Sequence, residues 1–300
     1  MKKALGYTRL VSISFLAVLW AGCRTIPPAG LANFSTGVSA AKGQTSVAFQ
    51  AVTDLTSEAI IDYAASQPRL TDTNFLPVLD PASLAVWDNV FTALQKYAQN
   101  LTLLTSPDLT KAYEDGVVNL ATKVKQVGSD LKTQKMISTV PSLSPSLSAA
   151  FTELGDLLLH AKAQHDALAV LSHTDPTIHT IFTTMADAIG TSQTRNLRGT
   201  VHAHWEQRKA TLKVSFLEDQ TPADRRTLAA QYASLMNGQI TQDLALASLQ
   251  RSFFALADAH HALAQASYPG AAAAISAVEQ EVQNTQNLLN RFKSIPNTAK

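Results

Sequence analysis

Two histidines are the side chains of this sequence best placed for chemistry. His165 falls in helical register with the apolar residue Leu158, and His260 falls in register with Leu256. An imidazole on such a stripe is expected to enter the core, where it needs a hydrogen-bond partner and commonly fixes the register of the helices. The alternative is a ligand or metal site inside a bundle, a type of site that normally also uses a Glu-x-x-His pair. No such pair occurs in this sequence.

The remaining acid–base pairs are spaced for the surface of a helix. Four residues separate Asp156 from His160, Asp175 from His179, and His202 from Glu206. Pairs at this spacing usually stabilise a helix surface by about 0.2 to 0.5 kcal/mol. The sequence contains no HExxH, CxxCH or GxSxG motif and no glycine-rich phosphate loop. It therefore predicts a non-enzymatic protein without a cofactor or a metal site.

Cys23 is the only cysteine, and it follows a short apolar run near the start of the chain. Three basic residues lie within the first nine, residues 10–19 are mostly apolar, and small residues precede the cysteine. This is the anatomy of a signal peptide. A helix that stays in a membrane needs about 20 apolar residues, and this run is too short.

The residues around Cys23 resemble the lipobox of bacterial lipoproteins. The matching residues are Leu19, Ala21, Gly22 and Cys23, whereas Trp20 stands where the family usually has leucine. The resemblance covers the signal region alone, and it implies that a lipid on Cys23 attaches the mature chain to a bilayer. Lipoproteins without aspartate after the cysteine tend to reside in the outer membrane, and Arg24 follows here. The alternative is an ordinary secretory signal, which would leave one unpaired thiol.

The charge of the mature chain is nearly balanced. Removal of residues 1–22 leaves 21 basic residues against 23 acidic ones, a formal net charge of −2. Phosphate binding needs a basic surplus, so nucleic acid is not expected as a partner. With one cysteine, the chain cannot form an internal disulfide.

One helical face combines basic residues with a tryptophan, and we refer to it as the basic ridge. It consists of Arg195, Arg198, His202, Trp205, Lys209 and Lys213, which fall within about 80° of one another on a helical projection. Beside a lipid anchor, such a surface is suited to anionic headgroups or to an acidic partner. The alternative is a solvated flank with Trp205 at the edge of the core.

Serine, threonine or aspartate directly before proline recurs along the chain and predicts helix starts. The pairs are Asp80–Pro81, Ser106–Pro107, Ser144–Pro145, Asp175–Pro176 and Thr221–Pro222. The side-chain oxygen accepts a bond from the first turn, while proline at the first helical position has no N–H to leave unpaired. Between these pairs, apolar residues recur every three or four positions, and no alternating strand pattern occurs.

These patterns predict an all-α protein, an elongated antiparallel bundle of six or seven long helices. The first helix is expected to run to about Ser66. Whether 176–218 and 222–267 are single or broken helices is left open. The predicted organisation is a signal peptide at 1–22, a lipidated tether at 23–30 and the helical bundle at 31–300.

The function predicted is that of a cell-envelope lipoprotein whose helical surface is a non-enzymatic interaction or scaffold module. It would face the periplasm or the cell surface and bind a protein or a cell-wall component. One alternative is a membrane-active protein, pore-forming or remodelling, with 270–278 as its apolar segment. Another is a bundle that binds a small ligand through His165 and His260.

Overall fold

All regular structure in the described part of the chain is helical. The computed structural model describes residues 28–65, 68–75, 77–105, 110–133, 145–161, 166–218 and 221–294. Their helices are α1 Pro28–Ala65, α2 Pro81–Leu103, α3 Thr110–Thr133, α4 Pro145–Ala161, α5 Ala167–Ile189, α6 Leu197–Leu217, α7 Pro222–Ala264 and α8 Tyr268–Ser294, with a 3-10 turn at Asp72–Phe75. The predicted all-α bundle is confirmed. These ranges hold eight α-helices rather than six or seven.

Two of the predicted helix starts are capped as the sequence indicates. The carboxylate of Asp80 accepts a hydrogen bond from the Ser83 N–H at 2.7 Å, at the start of α2. Thr221 and Asp224 form a reciprocal capping box at the start of α7. Pro145 opens α4, while Ser106, Pro107 and Ser144 lie outside the described residues.

The helix start predicted at Asp175 and Pro176 is wrong. Both residues lie inside α5, which begins at Ala167 after Asp166, whose carboxylate accepts from the Leu168 N–H at 2.9 Å. Proline within a helix removes one backbone hydrogen bond, and here the helix continues because its apolar face is buried. The Asp175 carboxylate binds histidines of α7 instead of capping a helix.

The two segments left open by the sequence behave differently. The segment 176–218 is broken at Gly190, which ends α5 with φ 67°, in the left-handed region that favours glycine. Residues 222–264 form one helix that passes through Asn237 and Gly238 without a break. At about 1.5 Å per residue this helix, α7, is about 64 Å long.

Helix α7 lies at the centre of the fold, in contact with α1, α5, α6 and α8. It runs antiparallel to α1, since the Phe34 ring lies beside His260 while the Ala51 carbonyl accepts a hydrogen bond from Gln242. The core is one continuous apolar cluster that includes residues of all eight helices. Residues 28–30, assigned to the tether from the sequence, form the start of α1.

The apolar segment 270–278 lies in α8. Its residues Ala271, Ile275 and Val278 are buried against the rest of the bundle. Among the described residues, no helix combines the length and the apolar character needed to cross a membrane.

Part of α6 and α7 extends beyond the bundle as a pair of helices. Near the end of α1, Arg208 binds Asp62, and past this point α6 continues to Leu217, while α7 begins at Pro222. We call residues 210–217 and 222–237 the arm. None of its residues is buried, in contrast to every other stretch of comparable length in the described ranges of α1, α5 and α7.

Candidate functional site

His260 lies in the core with no exposed surface. Its ring packs against the edge of Phe34 at a centroid distance of 5.6 Å and against Tyr97 at 5.7 Å. His165, the second histidine expected in the interior, lies outside the described residues.

A chain of hydrogen bonds around His260 connects α7 to two other helices. Its Nδ1 is 2.9 Å from Oδ1 of Asp175 in α5, and its Nε2 is 2.7 Å from the hydroxyl of Tyr97 in α2. Nδ1 of His261 is 2.7 Å from the other Asp175 oxygen. The Tyr97 hydroxyl is also 2.6 Å from Oγ1 of Thr174. We call these five residues the histidine network; it leads from exposed His261 into the core.

The environment defines the protonation states of the network. Burial lowers the pKa of His260 by more than its hydrogen bond to Asp175 raises it. Burial by itself raises the pKa of Asp175, but hydrogen bonds from His260 and His261 outweigh this, and the pKa lies below its ordinary value. Burial also raises the pKa of Tyr97. A neutral His260 therefore donates from Nδ1 to a carboxylate and accepts at Nε2 from the Tyr97 hydroxyl.

This arrangement joins helices and leaves no open position for a ligand on His260. Both ring nitrogens bind protein groups, so a ligand would have to displace Tyr97 or Asp175. In the described ranges, no three His, Cys, Asp or Glu side chains converge in a way that suits a metal ion. Buried polar networks with every member paired stabilise one helix register over its alternatives.

Acidification is expected to destabilise the protein through His260. Because the pKa of the folded imidazole lies below its ordinary value of 6.5, the unfolded chain binds a proton at a pH where the folded chain does not. The free energy of unfolding is therefore highest above pH 6.5 and falls as the pH drops below it. The lowered pKa of Asp175 acts in the same direction, but only near and below pH 3.8.

Urea unfolding at about pH 7.5 and about pH 5 measures this loss. In His260→Asn the amide can still donate to Asp175 but does not titrate, so the loss between the two pH values should shrink. His204, whose pKa burial also lowers, contributes to the slope of both proteins, so only the difference reports on His260. The control His160→Asn changes an exposed imidazole and should keep the full slope. An unchanged slope in His260→Asn would contradict the assignment.

The prediction that the basic ridge is exposed to solvent is wrong for three of its six residues, which pack against α7. Arg198 forms a bidentate ion pair with Asp243 of α7, with nitrogen–oxygen distances of 2.9 and 3.0 Å. Trp205 is buried, and its ring N–H donates to Oε1 of Gln242 at 2.7 Å. Lys209 is buried as well.

The other three ridge residues keep some exposure. His202 is half-buried beside Gln239, and this glutamine also binds Nζ of buried Lys209 at 2.8 Å. The same Nζ binds Glu206 at 2.6 Å. Arg195 is exposed, and exposed Lys213 lies 5.6 Å from the centre of the Tyr232 ring. The ridge is therefore mainly the seam by which α6 packs on α7.

The sequence does not indicate the role of Arg208. This guanidinium is buried, and it binds Asp62 at 3.0 Å and Glu58 at 3.2 Å, both in α1. With Arg198 and Trp205 it fixes α6 to α1 and α7 at the base of the arm. The four-residue spacing of Glu58 and Asp62 shows that both lie on one face of α1. It does not indicate Arg208 as their partner, because Arg208 lies 150 and 146 residues away in the sequence.

The arm exposes large apolar side chains that the sequence patterns did not single out. Leu217 is 82% exposed, the highest value among the large apolar residues of the described ranges, and Val214 of the same helix is also exposed. Met236, Ile240 and Leu244 continue this surface along α7. At spacings of four they look like an ordinary buried stripe, so only the packing reveals that nothing within the described chain covers them.

Comparison with known proteins does not assign the chain to a family. No family model, no curated protein and no solved structure matches this chain. The function is therefore inferred from the residues described above.

Proposed function

We propose that this protein is a lipid-anchored component of the bacterial cell envelope and acts as a non-enzymatic helical interaction module through its arm. The observation that carries the proposal is the arm itself, two helical segments, 210–217 and 222–237, in which no residue is buried. A two-helix segment that buries so little of its apolar surface gains stability from a further packing partner.

The two ends of the molecule support a division of roles. Cys23 lies five residues before Pro28, which begins α1. The arm extends past the other end of α1, which at about 1.5 Å per residue lies about 57 Å away. A lipid at Cys23 would therefore hold one end of the bundle at a membrane while the arm reaches away from it.

The base of the arm is built to hold it in a fixed direction. Arg198 also donates to the carbonyl of Gly190 at 3.1 Å, so one side chain ties α6 to the end of α5 as well as to Asp243. Buried Trp205 and Arg208 add contacts to α7 and α1. An exposed apolar surface on a rigid base suits the recognition of another protein.

The anchor is tested by replacing the cysteine. The wild-type protein should fractionate with membranes and carry the added mass of a lipid on Cys23, and Cys23→Ser should lose both. Mass spectrometry of the purified protein gives the result directly. A wild-type protein with an unmodified thiol would overturn the anchored form of the proposal.

The interaction surface is tested in cells by site-specific photocrosslinking. A photoreactive residue at Leu217 should give a discrete protein adduct, whether to another protein or to a second copy. The same residue at Ile61, 60% exposed on α1, is the matched control and should give none. Equal adduct formation at both positions, or none at Leu217, would overturn the role of the arm.

A further inference from the structure

The outer face of α7 carries one apolar stripe that begins in the arm and continues onto the bundle. Its members are Ala229, Ala233, Met236, Ile240 and Leu244, all exposed. Steps of four, three, four and four residues place them on one side of the helix. Because all five are exposed, no described residue of the chain buries this side of α7.

The sizes of these side chains change along the stripe in a self-complementary way. The two alanines lie before Met236, and the two large residues lie after it. If a second copy of α7 packs antiparallel with the two Met236 residues facing each other, Ala233 comes opposite Ile240. In the same register Ala229 comes opposite Leu244. Small residues opposite large ones are what close packing of two helices needs.

Two charged residues of α6, Lys213 and Glu206, are arranged about the same centre, Met236. Lys213 lies level with Tyr232 of α7, and Glu206 lies level with Gln239, whose amide is 3.0 Å from its carboxylate. These two levels lie at similar distances on either side of Met236. The antiparallel register therefore brings exposed Lys213 beside exposed Glu206 of the second copy, and the two-fold symmetry repeats this opposite-charge pair.

The same register also brings Leu217 into contact with the second copy. It lies one turn beyond Lys213, which puts it about 12 Å from the centre on one side. The seam between α6 and α7, where His202, Trp205 and Leu246 lie, is at a similar distance on the other side. The most exposed apolar side chain of the arm would thus lie over this seam in the second copy.

The net charge of residues 210–237, which are the arm together with the four residues between its helices, does not oppose self-association. Between positions 210 and 237 the sequence has three basic residues, Lys213, Arg225 and Arg226, and three acidic ones, Glu218, Asp219 and Asp224. A partner selected by opposite charge would call for an excess of one sign.

We propose that the arm is the interface of a two-fold symmetric homodimer in which two α7 helices pack antiparallel, centred on Met236. This inference takes from the proposed function that the arm is an interaction surface, and it names a second copy of the chain as the occupant. It does not depend on lipidation of Cys23.

Disulfide trapping tests the centre of symmetry. In the full chain with Cys23→Ser, Met236→Cys introduces the only thiol, and mild oxidation should convert most of the protein into a covalent dimer. The matched control is Phe254→Cys, on the same face of α7 and similarly exposed, at 39% against 43% for Met236. Because Phe254 lies about five turns from the centre, its two copies would be about 54 Å apart and should not cross-link.

A charge exchange tests the identity of the partner. Lys213→Glu and Glu206→Lys should each weaken dimerisation about fivefold in sedimentation equilibrium, and the double variant should restore it. Restoration by two substitutions in one chain is expected only if that chain is its own partner.

Three results would overturn the dimer. They are a monomeric mass across the concentration range, equal trapping at Met236 and Phe254, and adducts from Leu217 that contain only other proteins. The last of these would leave the interaction role of the arm standing and show that its partner is a different molecule. Failure of the Cys23→Ser fractionation would affect the anchor alone.

Discussion

Replacement of Asp175 by alanine is expected to lower the free energy of unfolding by about 3 kcal/mol. The change removes a carboxylate that accepts hydrogen bonds from both His260 and His261. His260 has no access to water, so its Nδ1–H would remain unpaired in the core. The bond to exposed His261 contributes little of this loss, because water replaces it. Urea unfolding at neutral pH measures the change.

A second aspartate of the same helix provides the control. Asp166 caps the start of α5 through the Leu168 N–H, and Asp166→Ala should cost only about 1 kcal/mol. Asp175→Asn should fall between the two, since an amide can accept from one histidine but not from both. If Asp175→Ala cost no more than Asp166→Ala, the histidine network would not hold α5 to α7 as the geometry indicates.

The contrast between Asp175 and two other residues that precede a proline, Asp80 and Thr221, shows what a local pattern can predict. Asp80 and Thr221 cap helices as their sequences indicate, because capping needs only the residue and the first turn after it. Asp175 precedes a proline as Asp80 does, but its partners lie 85 and 86 residues further along the chain. The packing of α5 against α7 decides its role, and a local pattern does not contain that packing.

Helical periodicity predicts that His260 lies in the core, but it does not predict which residues surround it there. The register with Leu256 depends only on the geometry of one helix. Its partner Tyr97 lies 163 residues away in α2, and nothing in the sequence joins the two. The role of the site as a joint between helices could therefore be recognised only from the assembled bundle.

The basic ridge failed for a related reason. A helical projection groups residues that share a face, but it does not tell which face meets a neighbouring helix. The ridge prediction places lysine and arginine towards solvent, yet their aliphatic stems pack well on apolar surface while the charge is paired. Lys209 does this beside Gln239, and Arg198 does it beside Asp243.

Gly238 lies inside α7, and the structure gives it a packing role. A Cβ atom at this position would lie 2.5 Å from the ring of Trp205, which is closer than real Cβ contacts. The glycine lets the indole pack directly on the backbone of α7, so the helix continues and α6 approaches it closely. Trp205 also meets the Phe292 ring of α8 edge-on at 6.3 Å.

These contacts make Trp205 the residue at the base of the arm whose loss should cost most. Trp205→Ala is expected to lower the free energy of unfolding by about 4 kcal/mol, because it leaves a cavity against Gly238 and removes the donor to buried Gln242. The arm should also lose its fixed direction. Hydrogen exchange should therefore quicken for the amides of residues 222–237 before it does for those of α5.

Leu217→Ala is the matched control for Trp205→Ala. It removes a large apolar side chain from the same helix, but one that is 82% exposed, so the free energy of unfolding of the monomer should change by no more than about 0.5 kcal/mol. The two variants separate the base of the arm from its surface. Trp205→Ala should weaken both stability and dimer trapping at Met236, whereas Leu217→Ala should weaken trapping alone. Equal unfolding free energies for the two variants would contradict the role of Trp205 at the base of the arm. They would mean that the buried indole contributes no more to stability than the exposed leucine.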